Sequence, residues 1–103
     1  MKKEIVSLDH IALNVNSIKE SVEWYNNNFE IKIIYEDDSW ALFSIGETKI
    51  ALTLKKEHPP HIGFLVDSFP NDLKSNIKTH RDNTEYVYIS DNSGNILELI
   101  KRK

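Results

Sequence analysis

The chain has 103 residues, 40% hydrophobic and 28% charged, with a formal net charge of −3, the balance of one compact soluble domain. Charges of both signs are mixed along it without a basic stripe, so nucleic acid is not an expected partner. Cysteine is absent, which excludes disulfides, thiolate ligands and a cysteine nucleophile; no apolar run approaches the ~20 residues of a membrane span, and residues 1–10 lack a signal-peptide core, so a cytoplasmic protein without membrane association is expected.

Residues 10–17, HIALNVNS, alternate as a half-buried strand does. Ile11, Leu13 and Val15 take one face; His10, Ala12 and Asn14 take the other. Ser17-x-x-Glu20 is a capping box, and Ile18, Val22, Tyr25 and Phe29 then recur at helical spacing. Trp24, Tyr25 and Phe29 read as core on that helix. Three strand-like runs follow, at 31–36, 39–45 and 48–55, separated by Asp37-Asp38 and Gly46-Glu47. The linker from Lys55 to Pro60 is stiffened by Pro59-Pro60.

Residues 61–68, HIGFLVDS, then repeat the opening string at an offset of 51 positions, with His, Ile, Val and Ser identical. Ile62, Phe64 and Val66 oppose His61, Gly63 and Leu65. Ser68 is the expected cap of a second helix with an apolar stripe of Phe69, Leu73 and Ile77. Two more strands, 85–90 and 95–101, are joined by the turn signal Asp91-Asn92-Ser93-Gly94. Leu97-Glu98-Leu99 aligns with Ile50-Ala51-Leu52 at an offset of 47, so the second copy is shorter by four.

The expected fold is α+β: a βαβββ module, about 5–56, and an abbreviated βαβββ module, about 60–103, forming a single domain over 1–103. Residues 81–85 leave little room for a full strand. Each half of about 50 residues is too small to bury a core alone. The halves are therefore expected to pack together, within one chain or between two, with curved mixed sheets closing a cleft.

Alternation points a set of polar residues into that cleft: His10 and Asn14, Lys49 and Thr53, His61, Tyr86, Tyr88 and Glu98. A carboxylate placed between Leu97 and Leu99 on a strand is costly unless it is paired or ligates a metal. Two neutral imidazoles and one carboxylate form a competent ligand set for Fe, Mn, Co, Ni or Zn, so His10, His61 and Glu98 are the expected holders of one divalent ion. Each has a blander explanation. A lone strand histidine is more often a satisfied residue, and Glu98 could pair with Lys49 or Arg102. His58 belongs to an exposed linker, His80 to a helix C-terminus where a cation is favoured, and Lys101-Arg102-Lys103 to a solvated end.

DHIALNV (9–15), SVEWYNNNF (21–29), HIGFLV (61–66) and VYISDNSGNILELI (87–100) stand in the order found in the vicinal oxygen chelate superfamily, which the chain resembles from Leu8 to Lys101. That superfamily includes glyoxalase I, extradiol dioxygenases, fosfomycin-resistance thiol transferases and bleomycin-resistance proteins. The resemblance implies ligand positions at His10, Ala51, His61 and Glu98. Alanine at 51 removes the fourth ligand and disfavours glyoxalase I activity. KIALTLKKE (49–57) looks like the fosfomycin-resistance group, and Tyr88 matches a substrate-contacting tyrosine there, although Ala12 stands where those enzymes carry a catalytic threonine.

The leading expectation is a metal-dependent lyase, dioxygenase or thiol transferase that chelates neighbouring oxygens of a small substrate. In it Tyr88 is the catalytic proton donor or hydrogen-bond partner, and Asn14, Lys49, Thr53 and Tyr86 bind substrate. The alternative is a metal-free protein that sequesters a small molecule. A homodimer is expected in either case.

Overall fold

The computed structural model describes residues 5–80 and 82–102. In chain order it contains β1 (Ile5–Val15), α1 (Ile18–Asn28), β2 (Lys32–Glu36), β3 (Trp40–Ile45), β4 (Thr48–Leu54), β5 (His61–Val66), a 3₁₀ helix (Asn71–Asn76), β6 (Lys78–Thr79), β7 (Glu85–Ser90) and β8 (Ile96–Lys101). The strands pair in both parallel and antiparallel fashion and the architecture is α+β, as expected. No helix among the described residues is long and apolar enough to cross a membrane. Packing divides the described residues into two units, residues 10–61 and residues 5–9 with 62–80 and 82–102.

In the first unit the strands lie in the order β2-β3-β4-β1. Ser17 caps α1, its Oγ accepting from the Glu20 amide at 3.3 Å. This satisfies one of the amides a helix start leaves unpaired. Spacing of 18, 22 and 25 then lays Ile18, Val22 and Tyr25 along one helix face. They pack with Ala41 and Phe43 of β3 and Leu52 of β4, flanked by Leu13, Val15, Ile31, Ile50 and Leu54. Trp24 and Phe29 depart from expectation: they are 56% and 47% exposed. Trp24 lies off the buried stripe and Phe29 ends the helix as its C-cap, so neither can follow Val22 inward. The three aromatics pack on one another instead, with Trp24 and Tyr25 ring centroids 5.1 Å apart and Trp24 and Phe29 6.0 Å apart.

In the second unit β5, β8, β7 and β6 are neighbours in that order. Its core is Val66, Phe69, Val87 and Leu99, flanked by Phe64, Leu73, Ile77 and Ile89. The expected second helix is only a six-residue 3₁₀ turn, and Pro70 rather than Ser68 takes the N-cap position, without a side-chain cap bond. Proline at 70 disfavours helical backbone at Phe69, which works against a helix starting at Ser68. The apolar stripe is kept, since Phe69, Leu73 and Ile77 still reach the core. The extra strand is β6, two residues at Lys78–Thr79, and so precedes 81–85.

The internal repeat is visible in the strand registers. β1 and β4 pair in parallel with Ala12 opposite Ala51 and Leu13 opposite Leu52. β5 and β8 pair in parallel with Gly63 opposite Glu98 and Phe64 opposite Leu99. The sequence offsets of 51 and 47 carry one register onto the other. Glu98 is thus the second-module counterpart of Ala51.

Two hairpin turns share one device. Asp37 Oδ1 accepts from the Ser39 amide at 2.8 Å, the Ser39 hydroxyl at 2.9 Å and the Trp40 amide at 3.0 Å, and Oδ2 accepts from the Tyr35 hydroxyl. Asp91 accepts from the Ser93 and Asn95 amides and from Asn95 Nδ2. Gly94, at φ 84°, supplies the left-handed residue this second turn requires. Hydrogen bonding, first from the Tyr35 hydroxyl, holds the Asp37 carboxyl below the ordinary carboxylate range. A depressed folded-state value stabilises the fold above the unfolded value near 4, and that contribution fades as pH falls through the folded value. In thermal melts run from neutral to acid pH, Asp37→Asn should therefore melt lower than wild type at pH 7, and the gap should narrow below about pH 4. Phe43 has no exposed surface, and Phe43→Ala should lower the unfolding free energy by about 3–5 kcal/mol in urea titrations.

Candidate metal centre

His10 and His61 meet in the first unit. Their Nε2 atoms are 3.1 Å apart, with the rings nearly perpendicular at 84°. They are 6% and 8% exposed. Strand β1 places His10, and His61 is the first residue of β5. His61 Nδ1 lies 2.8 Å from the Pro59 carbonyl oxygen. A carbonyl can only accept, so Nδ1 carries a proton, and a neutral His61 keeps its lone pair on Nε2. That lone pair faces His10. Two nitrogens ligating one ion at ~2.0–2.1 Å, in tetrahedral or octahedral geometry, lie roughly 2.9–3.4 Å apart, which brackets the observed separation.

The linker before His61 is itself held. Asn14 Nδ2 donates to Thr53 Oγ1 and to the His58 carbonyl, both at 2.9 Å. Asn14 and Thr53, expected to bind substrate, are thus engaged with each other across β1 and β4, and Asn14 also fixes the chain three residues ahead of His61. His58 is half-buried, not exposed as expected. Lys49 is half-buried, two residues before Ala51 on the same face of β4. Ala51 is buried and has no donor atom to offer.

Glu98 lies in the second unit and is 1% exposed. Its Oε2 is 2.8 Å from His80 Nε2. The His80 ring lies flat on Tyr86, 3.6 Å between centroids and 9° between planes, and Tyr86 meets Tyr88 edge-on at 5.4 Å. Tyr88 is the β7 residue opposite Glu98. Burial, then the Glu98 charge, then Tyr86 push the Tyr88 phenol well above its ordinary range. Tyr86 is raised by burial and by Glu98. Arg102 grips Asp9 with a two-pronged ion pair, Nε to Oδ1 at 3.0 Å and Nη2 to Oδ2 at 2.8 Å. It is therefore not merely a solvated end, and it anchors β1 at the residue before His10.

His80 is the participant that sequence patterning missed. It follows β6 directly and does not end a helix. The Asp82-Asn83-Thr84 turn sets its place: the His80 amide donates to the Thr84 carbonyl and the Asn83 amide to the His80 carbonyl, both at 2.9 Å. Asp-Asn in this segment is a turn signal that could have placed His80 at a strand end.

His10 and His61 in the first unit and Glu98 in the second are all buried, and each is of a residue type that ligates metal ions. The donor set suits the ion: two imidazoles, one with its outer nitrogen committed to a carbonyl, and a carboxylate held by a hydrogen bond, which is how ligating side chains are usually supported.

The sequence model of the Glyoxalase/Bleomycin resistance protein/Dioxygenase superfamily matches residues 7–99. Among curated proteins, the chain is 28% identical over 102 residues to a metallothiol transferase FosB of Staphylococcus saprophyticus, covering 91% of this chain and 60% of that protein. A FosB of Staphylococcus haemolyticus is 29% identical over 115 residues, covering 92% of this chain and 83% of that one. Against the first of these relatives, then, the chain spans about three fifths of the length. Among solved structures, methylmalonyl-CoA epimerase from Mycobacterium tuberculosis superposes over the whole chain and 92% of its own, with a TM-score of 0.80 at 17% identity. The 2,3-dioxygenase LapB of Pseudomonas sp. KL28 matches 95% of this chain and 43% of its own, with a TM-score of 0.67 at 20% identity. At such identities the structural matches establish the fold alone.

The raised Tyr88 value has a consequence for stability. A phenol that keeps its proton longer when folded than when unfolded stabilises the fold below the unfolded value near 10, and that contribution is lost as pH rises through the folded value. Between pH 9 and 11.5 the urea midpoint of Tyr88→Phe should fall less steeply than that of wild type; equal slopes would show that Tyr88 does not contribute.

Proposed function

The chain belongs to the glyoxalase/bleomycin resistance protein/dioxygenase superfamily, and we propose that it is a metal-dependent enzyme in which His10, His61 and Glu98 hold one divalent ion, Fe, Mn, Ni, Co or Zn. The observation that carries this reading is the 3.1 Å approach of the two histidine Nε2 atoms, a spacing that suits two ligands of one ion. The similarity to proteins named metallothiol transferase makes transfer of a thiol to a small substrate the leading reaction class. A lyase or dioxygenase activity comes second, and glyoxalase I chemistry is disfavoured by Ala51.

When bound, such an ion supplies a Lewis acid for two neighbouring oxygens of a small substrate. His61 is oriented by the Pro59 carbonyl, and Asn14 with Thr53 steadies the linker that presents it. Tyr88 holds its proton through the neutral range, which suits it to donate a hydrogen bond to a substrate oxygen and not to act as a base. Tyr86 and Lys49 complete the substrate contacts, the first as an aromatic wall and the second as a cation for an anionic group. The exposed Ile33, Ile34 and Tyr35 of β2, with Trp24 and Phe29 nearby in sequence, supply apolar surface that supports a homodimer. A cytoplasmic location belongs to the same reading.

Metal content tests it. Elemental mass spectrometry of untagged protein, after exposure to Ni, Mn, Fe(II) or Zn and dialysis, should find about one ion per chain, removed by chelator and lacking in His10→Ala and Glu98→Ala. If wild type retains no ion under any of these conditions, the enzyme reading fails, and binding of small molecules without metal becomes the activity to measure.

A further inference from the structure

We propose that His80 is a positioning residue that fixes the Glu98 carboxylate for metal binding through one oxygen; this rests on the metal-site reading above. A glutamate has three side-chain torsions, and one that is free to turn must be ordered when it takes an ion. Glu98 is not free to turn. Its Oε2 is engaged at 2.8 Å by His80 Nε2, and a carboxylate oxygen accepting an N–H bond is less available as a second ligand atom. The arrangement therefore favours one-oxygen ligation over a chelating carboxylate.

What distinguishes His80 from a casual neighbour is how firmly it is itself held. β6 pairs with β7 so that Lys78 faces Tyr86 and Thr79 faces Glu85, which puts His80 at the mouth of a tight turn. Both of its backbone polar groups are bonded across that turn, and Asp82 braces it by accepting from the Thr84 amide at 3.0 Å and the Thr84 hydroxyl at 2.6 Å. The ring then lies face to face with Tyr86 at 3.6 Å. Tyr86 stands on β7 opposite Ile100 of β8, the strand that carries Glu98. Backbone, ring plane and hydrogen bond thus refer His80 to the same two strands as the carboxylate it holds. Ala51 makes this support weightier: with no donor at the equivalent position of the first module, Glu98 is the sole carboxylate of the proposed set, and its orientation bears directly on affinity.

The test compares wild type, His80→Ala, His80→Gln and Glu98→Ala for Zn2+ and Co2+ affinity by chelator competition, for the visible absorption spectrum of the Co2+ form, and for melting of the metal-free protein. Loss of an outer hydrogen bond to a ligand lowers affinity by about 10- to 100-fold, so His80→Ala should bind that much more weakly with an altered Co2+ spectrum. His80→Gln, which keeps an N–H donor, should recover part of the affinity and the wild-type spectrum. The inference is overturned if His80→Ala binds within twofold of wild type with an unchanged spectrum while Glu98→Ala does not bind. It is equally overturned if Gln is as poor as Ala and both losses track a lower melting point without metal, since His80 would then be only structural. Absence of binding in wild type would instead bring down the metal-site reading, and this inference with it.

Discussion

A carboxylate with almost no access to water has to be compensated, and Glu98 is that carboxylate. Its position follows from the parallel pairing of β5 with β8, which sets it opposite Gly63 with Leu99 of the next pair turned into the second core. Burial of a charge without partners costs several kcal/mol, so whatever surrounds Glu98 must answer it. His80 does so directly, Tyr88 is kept protonated in part by its charge, and the proposed cation would do so most fully. Tyr86 and His80 stack on one another and Tyr88 stands opposite Glu98, so these side chains surround the carboxylate.

The first module solves the corresponding position differently. Its counterpart of Glu98 is Ala51 and its counterpart of Gly63 is Ala12, opposite each other in the same parallel register. Two small residues there need no compensation. The two modules thus share a register but differ in chemistry: histidines stand at the two equivalent strand positions, His10 and His61, while at the pair Ala51 and Glu98 only the second module has an acid.

Supports at the ends of the elements matter as much as the cores. Pro59 presents a carbonyl to His61, Asn14 ties the linker to β4, and Arg102 clamps Asp9 beside His10. Each proposed ligand is thus within three residues of a bonded anchor or is itself anchored. Such restraint is what keeps a ligand set in place before an ion arrives.

Periodicity in the sequence by itself determined the first-module helix and its Ser17 cap, most strands within a residue or two although β1 starts five residues before the repeated string, at Ile5, the two offsets that predict equivalent registers, and the buried faces of His10, His61 and Glu98. These are properties of a period of 2 or 3.6 residues, written locally in the chain. The four motifs likewise carried the superfamily, which the match over residues 7–99 bears out. Tertiary structure alone decided the rest. The second helix is only a 3₁₀ turn at Asn71–Asn76, although the apolar stripe had suggested more. Trp24 and Phe29 proved exposed because a helix face narrower than its apolar residues must leave some outside. His80 reached Glu98 across 18 positions, and Arg102 reached Asp9 across 93. No local period encodes such partnerships, since they depend on strand order and turn geometry that exist only once the chain has folded.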